Sequence, residues 1–456
     1  MKGLLSLGFL LLCASMGGGE VPQGAVSHSS SDPEKCKSCS KALQAALDYI
    51  EKVPKPGRKG VKYEISRLYD PFFAGFVYLV SGRHLKELEE AVETLSNGKF
   101  YAQDGFNRNW AIAMSGLFLS EIYKRYPTEK VKSALEEILK LADENVGQTG
   151  GWSHNKGFSY PKGLGRDLGI VTSIMFGAML NMKKSGIPVP EKLFATVQAN
   201  LEGLSDGMGV IYGTGNGVMD ATMGRASWMY LGLHALQFRS CKYFASVPRG
   251  LDSRFKNTDD GHAYPPLHYA GVALASHLAG PQVYNKFALH WMDRLIPLQK
   301  EDGSVSLPHK ENMPTQKNNE FVSSTAAFAL ILLLQKPGAL ERDVYGAKKS
   351  ASGAIFSKPG DALPWLGVRL TDGVLGAKVK EVVKGSPAEQ AGVEAGSYLI
   401  EIKGARPGDV NGLRQAASTL SPGQKVDVLL LCPAERKTLQ ITVGKPGERV
   451  PADDEL

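Results

Sequence analysis

Few residues in this chain could carry chemistry, and each has more than one reading. Cys36 and Cys39 form a Cys-Lys-Ser-Cys pair. Such a pair can be a redox dithiol, half a zinc site or a local disulfide. The redox reading wants a βαβ frame that is not evident around it. Zinc needs four ligands, and no second CxxC or HxxxH follows. Haem attachment would need His at the position held by Ser40. A local disulfide before the first helix is therefore expected, with no metal and no cofactor. His154, His262 and His268, with Tyr264 and Asp260, are the candidates for acid–base work. Trp152, Arg166, Asp167, Asp220 and Arg225 could line a mouth that holds an acidic sugar chain through rings and guanidinium groups. The structural alternative is that Asn109 and Asp220 cap helices, Trp110 and Trp228 fill cores and His268 packs among apolar residues. No HExxH or GxSxG occurs, and Gly213-Thr214-Gly215-Asn216-Gly217 lacks the spacing of a dinucleotide loop.

The elements that must position these residues repeat. Gly60, Gly105, Gly151, Gly207, Gly261 and Gly303 sit in similar turns at intervals of roughly 50 residues. A charged amphipathic helix precedes each later turn, as at Thr128–Asp143, Glu191–Leu204 and Pro281–Leu298. A more apolar helix with many small residues follows, as at Trp110–Tyr123, Leu168–Met182, Met219–Leu236, Leu267–Leu278 and Val322–Leu334. Small residues let helices crowd together in an inner ring, and charged helices suit an outer one. Six helix pairs are expected between Ser40 and Gln335.

Alternating helices of this kind, with loops such as Gln148-Thr149-Gly150-Gly151-Trp152 and Gln299-Lys300-Glu301-Asp302-Gly303, resemble the α/α toroid of the terpenoid cyclase and protein prenyltransferase superfamily. The resemblance implies fold more than function, because the same toroid hosts cyclases, lipid transferases, polysaccharide lyases and binding domains. The cyclase DxDD, the prenyl-transfer DDxxD and a thioester CGEQ segment are all absent, and Cys241 has no zinc ligands near it in sequence.

Residues 337–360 turn to Gly, Ala, Ser and Lys and read as a linker. Beyond it the period changes to two. Ala377 and Val379, then Val426, Val428 and Leu430, then Leu439, Ile441 and Val443 alternate with polar residues, as in half-buried strands. Ser386-Pro387-Ala388-Glu389 is a capping box with Pro at the first helical position. A second helix is expected over Asp409–Leu420. With Trp365-Leu366-Gly367-Val368, the block Gly385–Val393 and Ser421-Pro422-Gly423, this order resembles a PDZ domain of the bacterial, protease-associated kind. Ser397 stands where that family usually has Asp. The resemblance implies a carboxylate-binding loop at Trp365, Leu366, Gly367 and Val368, with Leu413, Ala416 and Ala417 lining a pocket for an apolar last side chain. No GDSGG-like nucleophile accompanies it.

The domain plan is then a signal peptide over 1–19, an N-terminal segment with the CxxC over 20–39, a toroid over 40–336, the linker, a PDZ domain over 361–446 and an acidic tail over 447–456. The opening MKGLLSLGFLLLCAS is too short to span a bilayer and reads as an export signal. The final DDEL only faintly resembles a retention signal of the eukaryotic secretory pathway. The 456 residues are 43% hydrophobic and 22% charged, and 53 basic residues are interspersed with 46 acidic ones. That argues against disorder and against a nucleic-acid footprint. The expected function is an exported, non-catalytic scaffold, periplasmic or secreted. Its PDZ domain takes a peptide or protein C-terminus while the toroid docks a second partner, a glycan or a small ligand. The alternative is a toroid enzyme acting on a polysaccharide.

Overall fold

The computed structural model describes residues 36–52, 64–82, 84–102, 107–155, 167–213, 222–259, 264–308, 321–335, 339–340, 366–432 and 436–444. The helices of the first part are α1 (Lys37–Lys52), α2 (Glu64–Ser81), α3 (Leu85–Leu95), the short α4 (Gly98–Ala102), α5 (Arg108–Arg125), α6 (Glu129–Asn145), α7 (Gly169–Lys184), α8 (Glu191–Gly203), α9 (Met223–Leu236), α10 (Tyr243–Arg254), α11 (Pro265–Ala279), α12 (Pro281–Leu295) and α13 (Phe321–Leu333).

Six of them, α2, α5, α7, α9, α11 and α13, pack each on the next, and α13 packs back on α2. They close a ring. A second helix backs each one: α3 on α2, α6 on α5, α8 on α7, α10 on α9, α12 on α11 and α1 on α13. This is the expected α/α toroid of six pairs. The inner helices are buried all round, as α7 is from Gly169 to Met182. Their small residues allow the crowding: a Cβ on Gly232 of α9 would lie 2.3 Å from the Gly177 carbonyl oxygen of α7. The outer helices bury one stripe. In α6 it is Val131, Leu135, Ile138, Leu139 and Ala142, and the Thr128 hydroxyl caps the helix by accepting from Val131 N–H.

The first helix closes the ring against the last loop. Gln299 Nε2 donates to the Ala42 carbonyl at 2.9 Å. Of the repeated turn glycines, Gly207 and Gly303 have positive φ, whereas Gly151 is held by close packing on Asp167. Gly60, Gly105 and Gly261 lie outside the described residues. So do the export segment, most of the linker and the acidic tail. Leu340, expected within the linker, instead joins the toroid core, and its carbonyl accepts from Arg125 Nη2 at 2.7 Å.

The second part holds β1 (Val368–Gly373), β2 (Gly376–Val382), α14 (Pro387–Ala391), β3 (Tyr398–Ile402), α15 (Val410–Ala417), β4 (Lys425–Leu431) and β5 (Arg436–Thr442). The strands form one antiparallel sheet in the order β1-β2-β3-β4-β5. Leu366, Val368, Ala377, Val379, Leu399, Ile402, Leu413 and Val428 make its core. The capping box forms: Ser386 Oγ accepts from Glu389 N–H at 3.1 Å, while the Glu389 carboxylate accepts from Gly385 N–H at 2.5 Å. Asp409 caps α15 by accepting from Gly412 N–H at 2.6 Å. The helix is shorter at its C-terminal end than Asp409–Leu420.

The two parts pack together. Val374, Leu375, Tyr398, Ile400 and Leu431 belong to the same apolar cluster as the toroid core. Lys378 Nζ lies 2.8 Å from Glu89 of α3, and the Tyr398 hydroxyl donates to the same carboxylate. Among the described residues, no helix is long and apolar enough to cross a membrane.

Candidate functional site

The candidate residues gather in two places: beside β1, and at the end of the toroid where the inner helices begin.

β1 is an edge strand, paired among the described residues only with β2 in the sheet order. One side of its ladder is thus available to another extended chain. The residues before it double back: the Leu366 carbonyl accepts from Ala388 N–H and the Gly367 carbonyl from Val383 N–H, both at 2.9 Å. Among the described residues, neither Leu366 nor Gly367 donates a backbone hydrogen bond to the main chain. Adjacent N–H groups in such a turn form a concavity for an anion. Gly367 is expected to let the backbone approach a carboxylate. The geometry adds a second duty. Its φ is +83°, and a Cβ there would lie 2.0 Å from Ser386 Cβ. Glycine is what lets the loop turn against the cap of α14.

α15 lies alongside β1, β2 and β3. The expected pocket residues divide. Leu413 and Ala417 point into the domain core and are buried, while Ala416 is half-buried. Their stripe, Val410, Leu413 and Ala417, follows the i, i+3, i+7 spacing of a core-facing helix. Leu413 and Ala417 therefore make the floor next to the groove rather than an open wall. Trp365 lies outside the described residues.

At the toroid end, the structure brings together part of what the sequence suggested. Trp110 Nε1 donates to His154 Nδ1 at 3.0 Å. Burial holds His154 down at about 4, so the ring is neutral near pH 7. Tyr264 stacks on Tyr69 with centroids 4.2 Å apart, and Tyr69 meets Trp110 edge-on at 6.2 Å. Next to Tyr69, Asp70 is buried and accepts from the Ser323 hydroxyl at 2.6 Å. Desolvation raises its carboxyl to about 7. Sequence reading missed Asp70; the available signal was one carboxylate opening the apolar run Pro71–Val80.

Several other candidates are structural. Trp152 is buried in the wall, its Nε1 donating to the Ala142 carbonyl at 3.0 Å, and so does not line a mouth. Asp167 accepts from the Thr149 hydroxyl and, at 3.3 Å, from Asn200 Nδ2, so it secures the turn at 147–151. The Arg225 guanidinium lies 5.2 Å over the Tyr212 ring and donates to the Val210 carbonyl at 3.4 Å. His268 is wedged between α11 and α9, where a Cβ on Gly224 would come within 1.8 Å of its Nδ1. Asn109 is no cap: it lies inside α5 and its Nδ2 donates to the Ser153 carbonyl at 3.0 Å. Trp228 does fill the core, donating to the Leu267 carbonyl at 3.0 Å. Asp220, Arg166, Asp260 and His262 lie outside the described residues.

Cys36 and Cys39 are buried at the start of α1, with Cys39 N–H directed at Cys36 Sγ over 3.4 Å. Burial pushes the Cys39 thiol up to about 12, which makes it a poor nucleophile.

Residues 364–443 match the family model for the PDZ domain, and this part of the chain is a PDZ domain. Over 81 residues the chain is 37% identical to a probable periplasmic serine endoprotease DegP-like protein of Chlamydia trachomatis, covering 18% of this chain and 16% of that one. It thus spans about a sixth of that relative's length. Among solved structures, the HtrA-type protease AlgW with a decapeptide is similar over 20% of this chain and 31% of that chain, at 22% identity and a TM-score of 0.18. The GH76A α-1,6-mannanase of Salegentibacter sp. HEL1_6 is similar over 65% of this chain and 98% of that chain, at 8% identity and a TM-score of 0.47.

Proposed function

We propose that this protein is an exported binding and scaffold protein whose PDZ domain captures the C-terminus or an extended segment of a second protein. The observation that carries the reading is the pairing of an edge strand with a turned-back loop. Among the described residues β1 has one open ladder side, and the N–H groups of Leu366 and Gly367 lie at its start. A peptide added there becomes a sixth strand. Main-chain bonds along β1 supply affinity, and the terminal carboxylate is received by the loop. The final side chain then rests over the floor made by Leu413 and Ala417 and against Ala416 of α15. The relatives that share this domain are named as periplasmic proteases, which supports an exported setting for this chain. The toroid is proposed to dock a second partner or ligand.

The test is peptide binding by the full chain with the peptide's terminal carboxylate free and amidated. Loss of binding on amidation fits the reading. Unaltered affinity contradicts it.

A second reading has one observation in its favour. Asp70 is buried against the Ser323 hydroxyl with its carboxyl raised to about 7, a state suited to acid catalysis on a sugar. Turnover of a polysaccharide that disappears in Asp70→Asn would establish it. Turnover that survives the substitution would remove Asp70 from the role.

A further inference from the structure

A peptide lying antiparallel to β1, with its carboxylate at Leu366–Val368, runs toward Asp372 as it is followed back from its C-terminus. The two walls of the groove are linked at that end. Asp372 Oδ1 accepts from Val410 N–H of α15 at 2.8 Å. From Val368 to Asp372 the strand accommodates about five residues at roughly 3.4 Å each. What stands beyond the tie is the toroid. Gly408 abuts Pro127, where a Cβ would lie 2.1 Å from the Pro127 carbonyl oxygen. The Thr128 hydroxyl donates to the Val374 carbonyl at 3.2 Å in the turn that follows β1. Both contacts flank the groove exit, one on the α15 side and one on the β1 side. The first turn of α6, with exposed Glu129 and Lys130, continues from them.

We infer that the toroid surface offered by Pro127, Glu129, Lys130 and Lys132 is the second half of the peptide-binding surface and contacts the residues upstream of the last five. This rests on the peptide-capture reading and adds to it the kind of partner. The ligand is an unstructured C-terminal tail of at least seven or eight residues on a folded protein, and a shorter tail engages only half of the surface. The docking of the two domains fixes the path, because the same Pro127–Thr128 pair that bounds the exit also holds the PDZ domain in place.

The experiment uses the full-length protein and the best ten-residue binder from an array of peptides with free C-termini. One version carries benzoylphenylalanine eight residues from the C-terminus, and another carries it three residues from it. After irradiation and mass spectrometry, the upstream probe is expected to label residues 125–132 and the downstream probe only the PDZ domain. Truncation to the last five residues is expected to weaken binding about three- to tenfold. Carboxylate-dependent binding in which the upstream probe labels only PDZ residues, or nothing, overturns this inference and leaves peptide capture standing. No binding of the ten-residue peptide, or equal binding of its C-terminal amide, overturns both.

Discussion

Lys378 of the PDZ strand β2 and Glu89 of the toroid helix α3 meet at 2.8 Å, and the Tyr398 hydroxyl donates to the same carboxylate. A single side chain of the toroid thus receives two donors of the other domain. Burial and the neighbouring Glu89 push the Tyr398 hydroxyl well above the usual phenol range, so it remains a donor at any ordinary pH. Glu89→Ala leaves both donors without this acceptor. The expected loss is about 1–3 kcal/mol. It should appear as one thermal transition separating into two and as faster amide exchange in β2 and β3. An unchanged melt and exchange pattern would mean that the apolar contacts of Val374, Leu375 and Leu431, with the Thr128–Val374 hydrogen bond, hold the interface without Glu89.

Gly408→Val tests the same interface from its other side. The carbonyl oxygen of Pro127 occupies the space a Cβ would need. Overpacking of this kind costs about 1–3 kcal/mol. The variant should lower the melting temperature while leaving the affinity for a five-residue peptide unchanged, since that peptide ends before the exit. Calorimetry and a binding titration on the same sample give both numbers.

Asp70 makes the toroid less stable as pH rises. Its folded carboxyl titrates near 7, above the ordinary value of 3.8. Between those values the folded state binds the extra proton, so stability is fully present below about 4 and falls as pH climbs to about 7. Asp70→Asn keeps an uncharged side chain beside Ser323 and should flatten this slope. Denaturant midpoints measured from pH 4 to 8 on both proteins check it; parallel curves would contradict it.

His154 acts in the opposite direction. Burial lowers its titration from 6.5 to about 4. Its contribution is fully present above pH 6.5 and is lost as pH falls toward 4. An NMR titration of the imidazole should show a neutral ring at pH 6, with Trp110 Nε1–H still bonded. A ring that titrates near 6.5 would sink this assignment.

Local chemistry was legible in the sequence. The Ser386–Glu389 box, Asp409 before α15 and the stripe of α6 each declare themselves within a dozen residues, because caps and periodicity are local devices. The ring of six pairs was legible too, since small residues on one helix set and charges on the other state which faces crowd together. What the sequence hid depends on distant partners. Asp70 looks like a turn residue before Pro71 until ring closure brings Ser323 against it. Glu89 and Tyr398 read as an ordinary surface acid and an ordinary strand aromatic until the domains dock. Trp152, Asp167 and Arg225 misled for the converse reason: polar and aromatic residues in long loops attract a binding reading, but here the loops use them to secure their own backbone.

Peptide capture by terminal-carboxylate recognition is tested most directly by calorimetric titration of the full-length protein with one ten-residue peptide in two forms, free acid and C-terminal amide. The account predicts that the free acid binds and that amidation abolishes or greatly weakens binding, because the Leu366–Val368 loop then faces no anion. Equal affinity of the two forms would contradict it.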